Sequence, residues 1–324
     1  MPKAHNPRRG SMQVWPRKRA KRIFPRISSW ADGTGLLGFA GFKVGMTHVI
    51  ATDPRKNSAT KGEDLSLPAT IIECPPMRIA GVRFYRKGYD GKEAMNDILA
   101  PNKDLNKRLT TSKNPSKLPD SLPADCSDVV VLVQTQPKLT GIGKKVPEIF
   151  EIAIGGSNED KFNFAKENLG KELSVKDVLK EGQFIDIHAI TTGKGHQGSV
   201  KRFGVKIRAK KAEKTKRGPG SLGGWKGHAH FMYRVAFPGQ MGFHSRVDYN
   251  KRVLKIGDNP EDVNPKGGFI RYGNVKSQFI LVHGSIPGPK KRLIRMRLAA
   301  RPDHRKQEIP FTIQHINTES MQGR

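Results

Sequence analysis

The chain has 324 residues, of which 59 are Lys or Arg and 29 are Asp or Glu, and its formal net charge is +30. Self-repulsion at this charge destabilises an isolated compact chain, so the composition indicates a polyanionic partner such as RNA or DNA. A membrane partner is disfavoured, because the longest apolar run, residues 129–133, is far shorter than the ~20 residues that cross a bilayer. Cys74 and Cys126 are too few for a four-cysteine zinc site or a disulfide framework, and we expect reduced thiols in the cytoplasm.

The first 31 residues form a basic segment with nine Lys or Arg, four prolines and no acid. Such a segment cannot bury enough apolar surface to become ordered by itself. It is therefore either a solvated tail or an arm that folds onto a polyanion. We favour the arm, because residues 15–19 (WPRKR) combine cations for phosphates with an aromatic ring for bases.

The next part of the chain contains strand patterns and two short helices. Residues 36–52, 68–86 and 128–136 are rich in apolar and β-branched side chains and predict strands. The polar, proline- and lysine-rich residues 100–125 predict a loop or partly helical insertion. Ser157 followed by acids and by Phe162 predicts a capped helix ending at Gly170. A second short helix is predicted at residues 174–179, and a strand at 184–190.

Strand patterns return after residue 246. They cover residues 252–256, 268–272, 278–284 and 293–298. In the last of these, apolar residues alternate with Arg295 and Arg297, which predicts two guanidinium groups on an outer face that lies against phosphates. Many short strands with Gly and Pro turns favour a mainly β fold with an α/β insertion, and a barrel over a doubly wound sheet.

Residues 193–246 break every regular pattern. Residues 194–217 contain ten Lys or Arg and one acid, and residues 218–227 contain five glycines. Glycine lets a backbone approach another surface closely, so this segment predicts a basic loop that threads among RNA strands. Aromatic side chains here and in the arm are candidates for stacking on bases. They are Trp15, Trp225, Phe231, Tyr233 and Phe243.

Two weaker motifs are typical of other functions, namely dinucleotide binding and metal binding or catalysis. Gly33, Gly35 and Gly38 match the G-x-G-x-x-G fingerprint of dinucleotide sites, but neither a preceding strand nor a following helix is indicated. The histidines of residues 193–246 lack the carboxylate or thiolate neighbours that metal binding or catalysis normally requires. We therefore expect no cofactor, no metal and no small-molecule substrate.

Six segments in order along the chain resemble the universal large-subunit ribosomal protein three family in its longer archaeal–eukaryotic form. They are residues 7–11 (PRRGS) with 16–20 (PRKRA), 41–47 (GFKVGMT), 192–195 (TGKG), 239–246 (GQMGFHSR), 267–273 (GGFIRYG) and 284–288 (GSIPG). The chain ends without the longer C-terminal extension of eukaryotic members, so an archaeal-type member is expected.

The resemblance implies a translation-protein-type β-barrel with an α/β insertion, a basic N-terminal arm and a long central finger loop. It divides the chain into the arm (1–35), the first part of the barrel (36–75), the insertion (76–180), a barrel strand (181–192), the finger loop (193–246), the remaining barrel (247–300) and a C-terminal tail (301–324). It further implies a non-enzymatic constituent of the large subunit that binds rRNA, supports early assembly and organises RNA near the peptidyl transferase centre, with Trp225 at the finger tip. Neighbouring ribosomal proteins are the other expected partners.

The residues expected to contact rRNA combine the basic segments with the family's motifs. They are Arg8, Arg9, Trp15, Arg17, Lys18, Arg19, Lys194, His196, Lys201, Arg202, Lys206, Arg208, Lys210, Lys211, Lys214, Lys216, Arg217, Trp225, His228, His230, Arg234, Gln240, His244, Arg246, Lys290, Lys291 and Arg292. Two alternatives stay open on the residues alone: another RNA-binding or RNA-modifying protein, and a DNA-compacting protein. An RNA-modifying enzyme would require an acid/base or cofactor site, and the large predicted β core argues against the DNA-compacting protein.

Overall fold

A computed structural model describes residues 7–110, 118–123, 125–212, 214–223, 232–303 and 308–320. The chain separates into two compact units. The "basic unit" comprises residues 1–23 and 190–246, and the "sheet unit" comprises residues 24–189 and 247–324. The predicted N-terminal arm is thus divided after Ile23, since Phe24 and Ile27 are buried and belong to the sheet unit.

Strands predominate over helices among the described residues. The elements are β1 (Gly35–Leu36), β2 (Gly38–Thr52), β3 (Asp64–Glu73), β4 (Met77–Gly88), β5 (Gly91–Leu99), β6 (Asp128–Gln134), β7 (Ile149–Gly155), α1 (Asn158–Asn168), β8 (Glu172–Leu173), β9 (Phe184–Ile190), β10 (His196–Gln197), α2 (Ser199–Phe203), β11 (Gly239–Gln240), β12 (Ser245–Gly257), β13 (Phe279–His283), β14 (Leu293–Leu298) and β15 (Thr312–Ile316), with single 3-10 turns at Leu105–Lys107, Pro137–Leu139, Val175–Asp177 and Pro260–Asp262. The mainly β prediction is confirmed.

One sheet of the sheet unit has the strand order β1-β7-β6-β4-β5, with β8 also paired to β4. Helix α1 packs on it, and the rings of Phe162 and Phe84 lie 6.2 Å apart. The predicted start of this helix is confirmed: Ser157 accepts a hydrogen bond from the Asp160 amide, and the Asp160 carboxylate accepts from the Ser157 amide. This reciprocal cap satisfies two amides that a helix N-terminus otherwise leaves without partners.

The other sheet has the order β14-β9-β12-β13-β3-β2, and β14 also pairs with β2. The pairings of these six strands therefore form a closed cycle, to which β15 adds through β2. Large side chains such as Phe39, Ile71 and Phe279 are fully buried among these strands. Strand β2 begins at Gly38, so a strand stands where the dinucleotide fingerprint requires a helix.

The strand predicted at residues 268–272 is wrong. The segment is a turn held by one isolated bridge between Phe269 and Gly273. Gly267, Gly268 and Arg271 have positive φ angles of 84°, 75° and 66°, which no strand allows. Tyr272 is buried and donates its hydroxyl to the Glu73 carboxylate. The apolar residues of this segment thus reach the core through a turn.

The outer row of arginines predicted on β14 is also wrong. Arg295 and Arg297 are 2% and 4% exposed. Arg295 donates to the carbonyl oxygens of Pro25 (3.0 Å) and Glu151 (2.5 Å), and its guanidinium lies 4.4 Å from the Phe150 ring centroid. Arg297 pairs with buried Asp186 at 2.9 Å. Both faces of the strand are covered by protein, so neither arginine faces solvent.

Residues 193–246 contain more regular structure than the sequence indicates. Strands β10 and β11 pair antiparallel, with His196 opposite Gln240. Helix α2 ends at Gly204, whose φ of 68° is the left-handed conformation that commonly ends helices. Short strands and a five-residue helix leave little periodicity in a sequence this rich in Gly and Lys.

Candidate nucleic-acid interface

The basic unit concentrates the charge of the chain. Its 80 residues hold 21 of the 59 Lys and Arg residues but only one of the 29 acids, Glu213, which lies outside the described residues. Two thirds of the net charge of +30 therefore lies in a quarter of the sequence. Such a field attracts polyanions strongly and nonspecifically.

Arg202, in α2, joins three backbone segments of the basic unit. Its guanidinium donates to the carbonyl oxygens of Gln240 (2.9 Å), Phe237 (2.7 Å) and Arg17 (3.1 Å). Arg17 returns a bond to the Arg202 carbonyl at 2.5 Å. Burial lowers the pKa of Arg202, and the pKa of Arg17 is lowered by burial first and then by Arg202 and Arg246. These two predicted RNA contacts are thus largely engaged within the protein.

Phe203 forms the apolar centre of the same region. The guanidinium groups of Arg17 and Arg202 lie 4.3 and 4.9 Å from its ring centroid. The Trp15 ring packs at 5.5 Å between centroids. Gly10 has a φ of 75°, and a Cβ there would come within 3.0 Å of the Phe203 ring. Trp15, predicted to stack on bases, therefore already packs against a protein ring.

His244 fixes residues 18–20 to the start of β12. Its Nδ1 lies 2.8 Å from the Lys18 carbonyl oxygen, and the Ala20 amide donates to the Phe243 carbonyl at 2.9 Å. Burial is the main cause that lowers the pKa of His244 and favours the neutral ring, whereas the bond to the Lys18 carbonyl raises this pKa. The donor role of Nδ1 in a neutral ring suits a carbonyl partner. His244 thus joins these two backbone segments, and its contact with rRNA stays a prediction.

Gln240 and the residues after it shape a tight backbone crossing. The Gln240 side-chain amide donates to the carbonyls of Met241 (3.1 Å) and Gly242 (2.9 Å). Gly242 has a φ of 71°, and a Cβ there would lie 2.0 Å from the Thr192 carbonyl oxygen. Only glycine fits this approach.

The other described candidates of the basic unit, apart from partly buried Arg246, have exposed side chains. They are Arg8, Arg9, Lys18, Arg19, Lys194, His196, Lys201, Lys206, Arg208, Lys210, Lys211, Lys214, Lys216, Arg217 and Arg234. A bond from the Arg208 amide to the Lys216 carbonyl (3.1 Å) closes the loop that carries five of these cations. Lys21 and Arg22, which the sequence prediction did not include, are equally exposed and continue the basic run of residues 17–19.

Several predicted residues lie elsewhere. Trp225, His228, His230 and the stacking candidate Phe231 lie outside the described residues, whereas Tyr233 is 79% exposed. The candidates of the sheet unit differ in exposure. They are Lys290, which donates to the Ile270 carbonyl at 2.9 Å, exposed Lys291 with a φ of 68°, and partly buried Arg292, whose pKa is lowered by burial.

The described part of the chain offers neither a metal cluster nor a membrane-spanning helix. Within it, no group of three or more His, Cys, Asp or Glu side chains is placed to hold a metal ion. None of the helices in the described ranges has the length and apolar character needed to cross a bilayer.

Comparison with known proteins finds one family over nearly the full length of this chain. The model of the family described as Ribosomal protein L3 matches residues 1–323. A protein of Archaeoglobus fulgidus named large ribosomal subunit protein uL3 is 48% identical, over 99% of this chain and 100% of its own length. Proteins of the same name from Methanocorpusculum labreanum and Methanobrevibacter smithii are 45% and 44% identical, over 98% and 100% of both chains respectively.

Proposed function

Because the chain belongs to the ribosomal protein L3 family, we propose that it is a structural constituent of the large ribosomal subunit that binds large-subunit rRNA. Membership in a ribosomal protein family also excludes the alternative of an RNA-modifying enzyme, so the chain is not an enzyme. The observation that carries the rRNA proposal is the basic unit, in which exposed cations surround an internally bonded scaffold of Arg17, Arg202 and His244. A preorganised basic surface lowers the ordering cost of binding.

We propose further that the closed cycle of six strands is the translation-protein-type barrel of this family, and that residues 76–180 carry its α/β insertion. Residues 1–35 and 193–246 are then the arm and the finger loop. Both approach RNA near the peptidyl transferase centre, with Trp225 at the finger tip. Supporting early assembly and contacting neighbouring ribosomal proteins complete this proposed role.

The division of labour within the basic unit follows from exposure. The exposed lysines and arginines of residues 194–217 neutralise phosphates, which is the sequence-independent and salt-dependent part of RNA affinity. Arg17, Arg202, Gln240 and His244 hold the backbone that presents those cations. In this proposal, partly buried residues hold the backbone of the interface in place, and exposed cations bind the RNA phosphates.

We expect Lys210→Glu with Lys211→Glu to weaken binding to a large-subunit rRNA fragment. Both side chains are exposed in the loop closed by Arg208 and Lys216. Removing a cation that touches a phosphate lowers the slope of log affinity against log salt by about one, so the double variant should lower it by about two. Filter binding or anisotropy at several salt concentrations measures this slope.

The matched control is Lys266→Glu with Lys276→Glu, which changes the same charge at exposed positions of the sheet unit. It should leave the slope close to that of the wild type. Equal losses in both variants would mean that net charge alone governs binding. Failure of the wild-type chain to cosediment with large subunits in moderate salt would refute the proposed function itself.

A further inference from the structure

The sheet unit contains an open pocket of about 770 Å³. Pockets of this size hold drug-sized ligands. Part of its lining is apolar and aromatic, with Leu65, Leu67 and Leu254 beside the rings of Phe184 and Phe311. A flat, partly apolar group such as a nucleobase can be buried against such a lining.

The rest of the lining is cationic and polar. Arg55, Lys251, Arg252 and His283 all line the pocket, and none of its described lining residues is acidic. The pKa of His283 is lowered by burial and then by Arg252, Lys251 and Arg55, which places the imidazole among three cations. Lys251 also forms an ion pair outside the lining, with 3.6 Å between its Nζ and an Asp248 carboxylate oxygen. Asp53, Asp248 and Glu308, which lie outside the lining, offset part of this charge, but the described lining itself presents cationic and neutral groups to an anion.

Arg252 is fixed between two aromatic rings. It is only 8% exposed, and its guanidinium carbon lies 5.0 Å from the Phe184 ring centroid and 4.9 Å from that of Phe311. Desolvation lowers the pKa of Arg252 and Arg55 lowers it further, whereas the nearby carboxylates of Asp53 and Glu308 raise it. A guanidinium held in this way faces little conformational cost when it binds an oxyanion.

Arg55 is oriented by a buried carboxylate. Its Nε and Nη2 donate to the two oxygens of Asp53 at 2.8 and 2.7 Å. Asp53 is 1% exposed and also accepts from the Thr60 hydroxyl at 2.8 Å. The carboxylate fixes the guanidinium plane, while the arginine side chain keeps 44% exposure at the pocket. The pocket is thus lined by two oriented arginines: Arg55 is held by a carboxylate, and Arg252 is held by two aromatic rings.

We propose that this pocket binds one nucleotide of a single-stranded RNA segment, with the phosphate at Arg55 and Arg252 and the base against the aromatic lining. Tyr249, which lines the pocket and is 50% exposed, supplies a further ring for stacking. The inference rests on the proposed rRNA-binding function and adds a nucleotide site outside the basic unit. Arginine paired with aromatic rings fits a phosphate and a base better than an acidic peptide, which brings carboxylates without a flat ring.

The test uses the purified full-length chain and a short oligouridylate that carries 4-thiouridine. After irradiation, mass spectrometry identifies the crosslinked peptides. We expect crosslinks in the peptides that contain Tyr249 and Phe311, and separate crosslinks in residues 194–217. Uridine monophosphate should suppress the pocket crosslinks at concentrations where inorganic phosphate does not.

Ala59→Glu places a carboxylate in the pocket lining and should reduce the pocket crosslinks about tenfold, the effect of losing one stacked base. Ala94→Glu, at an exposed position of β5, changes the net charge equally and should leave them unchanged. Equal effects of the two variants, or equal competition by inorganic phosphate, would overturn the nucleotide site. Suppression by oligoglutamate but not by uridine monophosphate would assign the pocket to an acidic peptide instead.

Crosslinks in residues 194–217 distinguish a failure of the nucleotide site from a failure of the proposed rRNA-binding function. If these persist while the pocket peptides carry none, the nucleotide site is wrong and the proposed rRNA-binding function stands. If neither region crosslinks, the rRNA-binding function fails together with the inference that rests on it.

Discussion

Replacing Asp186 by alanine is expected to lower the free energy of unfolding by about 3–5 kcal/mol, the usual effect of removing one partner from a buried ion pair. Asp186 is fully buried in β9 and accepts hydrogen bonds from Arg297 Nε (3.1 Å) and Nη2 (2.9 Å). It also accepts from the backbone amides of Asn250 (3.1 Å) and Ala300 (3.2 Å). The substitution leaves a buried guanidinium charge and two amides without their acceptor. Chemical denaturation followed by circular dichroism measures the loss.

Two controls separate the buried charge from the lost packing. Asp186→Leu with Arg297→Met removes both charges and should recover part of the stability, because replacing a whole buried pair by apolar groups is often neutral or stabilising. Asp258→Ala removes one partner of the Lys176–Asp258 pair, whose side chains are 50% and 55% exposed, and should cost no more than about 1 kcal/mol. If Asp186→Ala also cost no more than this, the ion pair would not hold β9 to β14.

The sequence predicted the elements whose signals are local. Ser157 and Asp160, which cap α1, lie three residues apart, and Phe162 and Ala165 form the buried side of the helix. The N-terminal cap and the buried face of this helix are therefore both encoded within nine consecutive residues. The apolar run at residues 129–133 became a central strand for the same reason. Such patterns depend only on neighbours along the chain.

The errors arose where a distant partner decides the outcome. Arg297 alternates with apolar residues as a solvent-facing arginine would, but its partner Asp186 is 111 residues away. Nothing near residue 297 indicates that carboxylate. Arg295 likewise finds carbonyl acceptors 270 and 144 residues away. Alternation predicts that two faces differ, and it does not say whether the second face meets water or protein.

The same limit applied to the candidate interface. Composition located the basic segments, because charge density needs no structural knowledge. It could not separate exposed Lys201 from Arg202, the adjacent residue whose guanidinium binds three carbonyl oxygens. His244 was predicted from a motif as an RNA contact, and the sequence did not indicate that its Nδ1 also bonds to the Lys18 carbonyl. Only the folded basic unit distinguishes cations that build the surface from cations that it presents.

Arg202→Met is therefore expected to loosen the attachment of residues 7–23 to the rest of the basic unit. The variant keeps an apolar stem beside Phe203 but loses the bonds to the Arg17, Phe237 and Gln240 carbonyls. Hydrogen bonds from a charged donor are worth about 1.5–3 kcal/mol each, so amide exchange at Ala20, which donates to Phe243, should become at least about tenfold faster. Hydrogen exchange with mass spectrometry on the free chain measures this change.

Lys201→Met is the matched control, because it removes the same charge from the neighbouring, exposed position of α2. It should leave exchange at Ala20 unchanged and weaken rRNA binding only by the loss of one cation. Arg202→Met should weaken binding more, since the RNA must then also order the N-terminal segment. If exchange at Ala20 stays at the wild-type rate while rRNA affinity falls further than in Lys201→Met, Arg202 contacts RNA directly. In that case its bonds to the three carbonyls do not hold the segment in place.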